Sequence, residues 1–196
     1  FSLNGTVKLA NTANTANNPM YIDPTLPWDG IGDNFDNQTY GSLKGYNSLG
    51  LGGGPTTIVV DDADSTGVTI TGSWTVSTST SGYYGSDYRQ DGNTGQGTKS
   101  VRFTPTIPSA GTYEVFLWWT AGSNRASNTP VDVVHSGGTD YQHVDQRSSG
   151  GQWVSLGTYA FDAGTARSVL VANPRPDGHV VADALKFVEV APPGIT

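Results

Sequence analysis

Two acidic loops, three histidines and a set of clustered aromatic residues are the places where this chain could do chemistry. The first loop, "DADSTG", sets Asp62, Asp64 and Thr66 ahead of Gly67 and begins like an oxygen-ligand loop for calcium. Its twelfth position, where such a loop carries an acidic ligand, is Ser73. The second loop, "WDGIGDNFDN", offers Asp29, Asp33 and Asp36 among glycines. Calcium at either loop competes with a simpler account, in which Asp side chains bond the backbone of their own turns. His135, His143 and His179 form no close ligand pair, so no zinc site is expected. There is no G-x-S-x-G elbow, no Walker loop and no HExxH. No carboxylate pair is nominated for glycoside hydrolysis, whose geometry is spatial. The chain is therefore expected not to be an enzyme, with no catalytic residue and no cofactor beyond that calcium.

Sugar binding would use exposed aromatic platforms, and the chain offers candidates for one. Trp118 and Trp119 are adjacent in a strand-like run, so they face opposite sides of a sheet and at most one belongs to its inner core. Tyr83, Tyr84 and Tyr88 in "GYYGSDYR", with Asn124 and Arg125 in "NRAS", complete a candidate glycan platform. Packing inside a β-sandwich, or coverage by residues 19–54, explains the same rings equally well. "NGT" at Asn4 and "NQT" at Asn37 are N-glycosylation patterns, and "TVSTSTSG" suits an exposed strand or an O-glycan carrier.

The 196 residues include no cysteine, so neither disulfides nor thiolate chemistry enter. A formal net charge of −7 leaves no basic footprint for nucleic acid or an anionic membrane. No apolar run is long enough to span a bilayer. Only 14% of residues are charged while 26 are glycine, a composition common in extracellular β-proteins. With Phe rather than Met at position 1, the expectation is an extracellular or cell-surface chain freed from a signal peptide.

The elements that must position these side chains are strands. From Thr56 onward, β-rich runs alternate with Gly-rich turns: "TIVVDDAD", "GVTITGSWTVS", "KSVRFTPTI", "GTYEVFLWWT", "TPVDVVHSGGTDYQHVDQ", "QWVSLGTYAFDAG", "ARSVLVANP" and "HVVADALKFVEV". They predict an all-β fold, an antiparallel β-sandwich or jelly-roll-like domain, with "HSGGTD" as a hairpin turn and "VVADALKFVEV" as the last strand. The expected organisation is an extension strand over 1–9, a polar linker over 10–18 and an irregular wrapping segment over 19–55. The sandwich follows over 56–191, with a short tail over 192–196.

The ordered series "VVDDAD", "TGSWTVS", "YYGSDYR", "RFTPTIPSAGTYEVFLWW", "NRASNTPVDVVHSGGTDYQHVDQ", "GGQWVSLGTYAFDAG" and "VVADALKFVEV" resembles the golvesin and xanthan lyase carbohydrate-binding-like domain. That resemblance implies a β-sandwich, an extracellular address and a role in binding carbohydrate, with no catalytic residue of its own.

The first nine residues carry a different expectation. Phe1, Leu3, Val7 and Leu9 alternate with polar positions, and Gly5 sits between them. Burying the four would contribute on the order of 6–12 kcal/mol, so the strand is expected to dock. The leash "ANTANTANN" reaches about 30 Å when extended, enough to cross to a neighbour. The extension resembles the donor strand of pilus-like extracellular filament subunits. The leading expectation is thus a secreted structural subunit, forming an open helical filament with copies of itself by donor-strand insertion. The alternative is a non-catalytic carbohydrate-binding module with a polysaccharide partner. A hydrolase or lyase fragment is the third reading, and no constellation supports it.

Overall fold

The computed structural model describes residues 55–173 and 177–191. The extension residues Phe1, Leu3, Gly5, Val7 and Leu9, the acids Asp29, Asp33 and Asp36, and the sequons at Asn4 and Asn37 lie outside the described residues. The described residues belong to one compact unit.

That unit is an antiparallel β-sandwich, as its run of short alternating segments requires. One sheet has four strands in the order β1 (Thr57–Asp61), β12 (Ala184–Glu189), β6 (Gly111–Trp118) and β9 (Val154–Phe161). The other has five: β2 (Val68–Thr71), β5 (Ser100–Phe103), β10 (Ser168–Ala172), β7 (Thr129–His135) and β8 (Gly138–Val144). A small third sheet joins β11 (Val181–Ala182), β4 (Tyr88–Gln90) and β3 (Thr75–Ser77). The hairpin predicted at "HSGGTD" is present and tighter than that stretch, with His135 opposite Gly138 and only two residues between them. "VVADALKFVEV" is strand as expected, but interrupted at Asp183 into β11 and β12. Among the described residues no helix is long and apolar enough to cross a membrane.

Period-two alternation decides which side chains are inside. Tyr113, Val115 and Leu117 of β6 and Leu185 and Phe187 of β12 are buried against Val101, Phe103, Val131, Val133, Val169 and Val171 from the opposite sheet. Phe161 stands edge-on to both Tyr113 and Phe187, with centroids 6.0 and 5.5 Å away. The alternation survives a bulge in β9, where the register shifts between Val115 and Phe116 of β6. Gly157 takes φ +119° there, a left-handed value that favours glycine.

Buried polar side chains join the small sheet to the sandwich. The fully buried amide of Gln146 donates to the Val181 carbonyl at 2.7 Å and accepts from its N–H at 2.8 Å. It thus stands in for a neighbouring strand. Buried Asp91 accepts from Val180 N–H at 2.9 Å and from Asn173 Nδ2 at 3.1 Å.

Candidate functional site

The outer face of the four-stranded sheet carries the exposed chemistry of the sequence-predicted platform. In β6, Glu114, Phe116 and Trp118 point away from the core, and Lys186 of β12 lies opposite Phe116. Trp118 is half-buried and Trp119 is 1% exposed, so the adjacent pair divides between surface and core as strand geometry demands.

Two further rings reach Trp118 from different parts of the chain. Trp153 stands just ahead of β9, next to β6 in the sheet, and its ring is 5.1 Å from Trp118. Tyr84 arrives from the loop before β4, with its ring 5.7 Å from Trp118 and 5.1 Å from Trp153. The Trp118 indole N–H donates to the Gly82 carbonyl at 2.8 Å, which fastens that loop to the sheet. Beside this trio the Lys186 ammonium lies 4.5 Å from the Phe116 ring centre and 4.8 Å from that of Trp153. Its ammonium makes no ion pair among the described residues. The surface thus combines half-buried aromatic area with one cation.

Other members of the predicted platform are structural. Tyr88 is 1% and Arg125 is 6% exposed, so neither ring nor guanidinium is a surface platform. The Arg125 Nη2 donates to Thr80 Oγ1 at 3.0 Å, to the Tyr88 hydroxyl at 3.2 Å and to Thr120 Oγ1 at 3.3 Å. Burial pushes the Tyr88 phenol up, but hydrogen bonds with Ser77, Ser79, Thr80 and Arg125 outweigh it and bring it down to about 7. Tyr83 packs 6.3 Å from Tyr88, and Asn124 is exposed in its loop. The platform therefore divides, with Tyr84 and Trp118 on the outer face and Tyr88, Trp119 and Arg125 inside. Sequence reasoning missed Trp153 and Lys186, whose place beside Trp118 follows from strand order.

The acidic loop resolves as turn chemistry. Asp64 Oδ2 accepts from Asp61 N–H at 2.9 Å, and Asp61 Oδ1 accepts from Ala63 N–H at 2.9 Å. Buried Asp62 faces elsewhere, with Arg89 Nε 3.1 Å from its Oδ2. Among the described residues no group of three or more His, Asp or Glu side chains is arranged to hold a metal ion. The histidines also stay apart: His135 approaches Asp140 at 3.8 Å, His179 meets Gln90 at 3.0 Å, and His143 is exposed.

Burial, followed by the charges of Asp61 and Asp87, raises Asp62 to about 8. Burial likewise raises Asp183 to about 8, against the hydrogen bond that it accepts from Tyr84 N–H at 3.1 Å. That bond ties the Tyr84 loop to the junction of β11 and β12.

Comparisons with known proteins agree with this architecture. The profile of the Golvesin C-terminal domain matches residues 58–189. A xanthan lyase from Bacillus sp. (strain GL1) is 53% identical over 68% of this chain, and golvesin from Dictyostelium discoideum is 32% identical over 71%. The chain spans 15% of the length of that lyase and 24% of that of golvesin. Among solved structures, a Paenibacillus xanthan lyase superposes with a TM-score of 0.69 at 51% identity, over 69% of this chain and 13% of that one. A family 35 carbohydrate binding module from Clostridium thermocellum shares the fold, with a TM-score of 0.51 at 20% identity over 69% of this chain and 99% of the module.

These matches overturn the expectation of a filament subunit polymerising by donor-strand insertion. The similarity runs to a xanthan lyase, to golvesin and to the fold of a carbohydrate binding module, and the shared sandwich is assembled from strands between Thr57 and Glu189.

Proposed function

The chain belongs to the Golvesin C-terminal domain family, and on that premise we propose that its sandwich is a non-catalytic carbohydrate-binding module acting outside the cell. The ligand is a polysaccharide held on the outer face of the four-stranded sheet by Tyr84, Trp118 and Trp153. The observation that carries this reading is the meeting of those three rings at the surface, next to the ammonium of Lys186, which makes no ion pair among the described residues. Aromatic faces offer apolar area to sugar rings, and a few placed polar groups orient the ligand. Lys186 suits a polysaccharide that bears anionic groups, and the similarity to xanthan lyases makes xanthan the first ligand to test.

Affinity electrophoresis of the full chain through gels containing xanthan tests the proposal. Trp153→Ala is expected to weaken retardation about tenfold, the loss of one well-packed aromatic contact. Lys186→Gln is expected to weaken it about threefold in xanthan and to leave it unchanged in uncharged hydroxyethyl cellulose. A wild-type chain unretarded in both gels would refute the function. Unchanged retardation of Trp153→Ala would refute the site.

A further inference from the structure

We infer that the module has a second polysaccharide-binding face, on the outer side of the five-stranded sheet, and so joins two polysaccharide chains. This rests on the carbohydrate-binding reading above but uses none of the same residues. The register sets one residue from each strand in a single row across that face: Thr69, Arg102, Leu170, Asp132 and Tyr141. At about 4.8 Å per strand, the row extends about 19 Å, room for several sugar rings laid across the strands.

Tyr141 marks the row as a surface built for a ligand. It is 76% exposed, far above Val76 at 51%, Val190 at 42% and Ile70 at 41% among the exposed large apolar side chains. A ring on a sheet face usually packs against a cross-strand neighbour. Here the residue opposite is Asp132, and Tyr141 pairs with no other aromatic ring among the described residues.

The polar members face the same side. Arg102 Nη1 donates to Ser168 Oγ at 2.7 Å, and the rest of its guanidinium makes no hydrogen bond among the described residues. The Asp132 carboxylate lies within the fields of Arg102 and of exposed His143, the next outward residue along β8. A planar ring followed by a carboxylate and a guanidinium matches a chain with alternating C–H faces and hydroxyl edges. The opposite charges of Arg102 and Asp132 balance, which suits uncharged sugar units rather than a strongly charged partner. The apolar side chains of the row are a single ring and the half-buried Leu170, with half-buried Pro130 and Val134 beside Asp132 on β7, and the charged pair at the middle of the row is unlike the charge-poor core of a protein interface.

The two faces are the opposite outsides of one sandwich, so a straight chain on one does not reach the other. Bivalent binding of this kind cross-links a polysaccharide, and the resulting avidity exceeds either single affinity.

The test uses the full chain in gels of xanthan and of hydroxyethyl cellulose, with Tyr141→Ala, Trp153→Ala and the double variant. Each single variant is expected to keep retardation in at least one gel, and adding Tyr141→Ala to Trp153→Ala is expected to remove about a further tenfold. Wild-type chain is expected to raise the viscosity of the retarding polysaccharide, and either single variant to lose that effect. Tyr141→Ala behaving as wild type in both backgrounds would overturn the second face while leaving the first. Loss of all retardation in Trp153→Ala alone would do the same. No retardation of wild type in either gel would overturn both.

Discussion

Arg89 and Asp62 make an ion pair at the edge of a crowded set of carboxylates. Asp62 is 1% exposed, and Arg89 Nε lies 3.1 Å from its Oδ2 and 3.3 Å from its carbonyl oxygen. Because Asp62 and Asp183 are raised to about 8, the folded chain holds more protons than the unfolded chain between about pH 4 and about pH 8. Stability is therefore expected to fall as pH rises through that window, with the loss complete above it. Arg89→Gln removes the cation that favours ionised Asp62. It is expected to cost about 3 kcal/mol at about pH 9, where Asp62 is charged, and distinctly less at about pH 5, where Asp62 is protonated in the fold. Urea unfolding at the two pH values checks this, and an equal cost at both would contradict it. At this scale the sequence was partly legible. Adjacent Asp61 and Asp62 were visible as acids, but Asp183 and Asp87 join them only through the meeting of β1, β12 and the Tyr84 loop.

The ends of β6 and β9 are held together by a backbone approach that only glycine allows. A Cβ on Gly150 would lie 2.5 Å from Ala121 N and 2.6 Å from the Trp119 carbonyl oxygen, both backbone atoms. The next residue donates its N–H to that same carbonyl at 2.8 Å, and the Trp119 indole donates to the Ser148 carbonyl at 3.2 Å. Gly150→Ala must push these segments apart and carry Trp153 away from Trp118. Its expected cost is about 1–3 kcal/mol, with a parallel loss of polysaccharide retardation. Thermal unfolding reads the first effect and affinity electrophoresis the second; wild-type values in both would contradict the argument. The strands themselves were readable from alternation, because every outward position of β6 follows from its inward Tyr113, Val115 and Leu117. What alternation could not supply was the neighbour. Trp153 meets Trp118 because β9 pairs with β6, a contact between segments far apart in sequence.

At the scale of the molecule, the family match over residues 58–189 coincides with the sandwich, and the fold is shared with almost the whole of a separate family 35 module. A chain beginning at Gly53 is accordingly expected to unfold in one cooperative transition and to keep the polysaccharide retardation of the full chain. A broad, uncooperative transition would contradict that independence. The sequence by itself determined the all-β class, the hairpin within "HSGGTD", the family resemblance and the division of Trp118 from Trp119, because each depends on local period or on motifs along the chain. It misled on the filament, where an alternating run and a leash set reach and apolarity without specifying a partner. Tertiary structure decided which aromatics meet solvent: it buried Tyr88 and Arg125, gathered Tyr84, Trp118 and Trp153, and left Tyr141 exposed. The physical reason is that strand period sets the face a side chain takes, whereas strand order and register set what stands beside it.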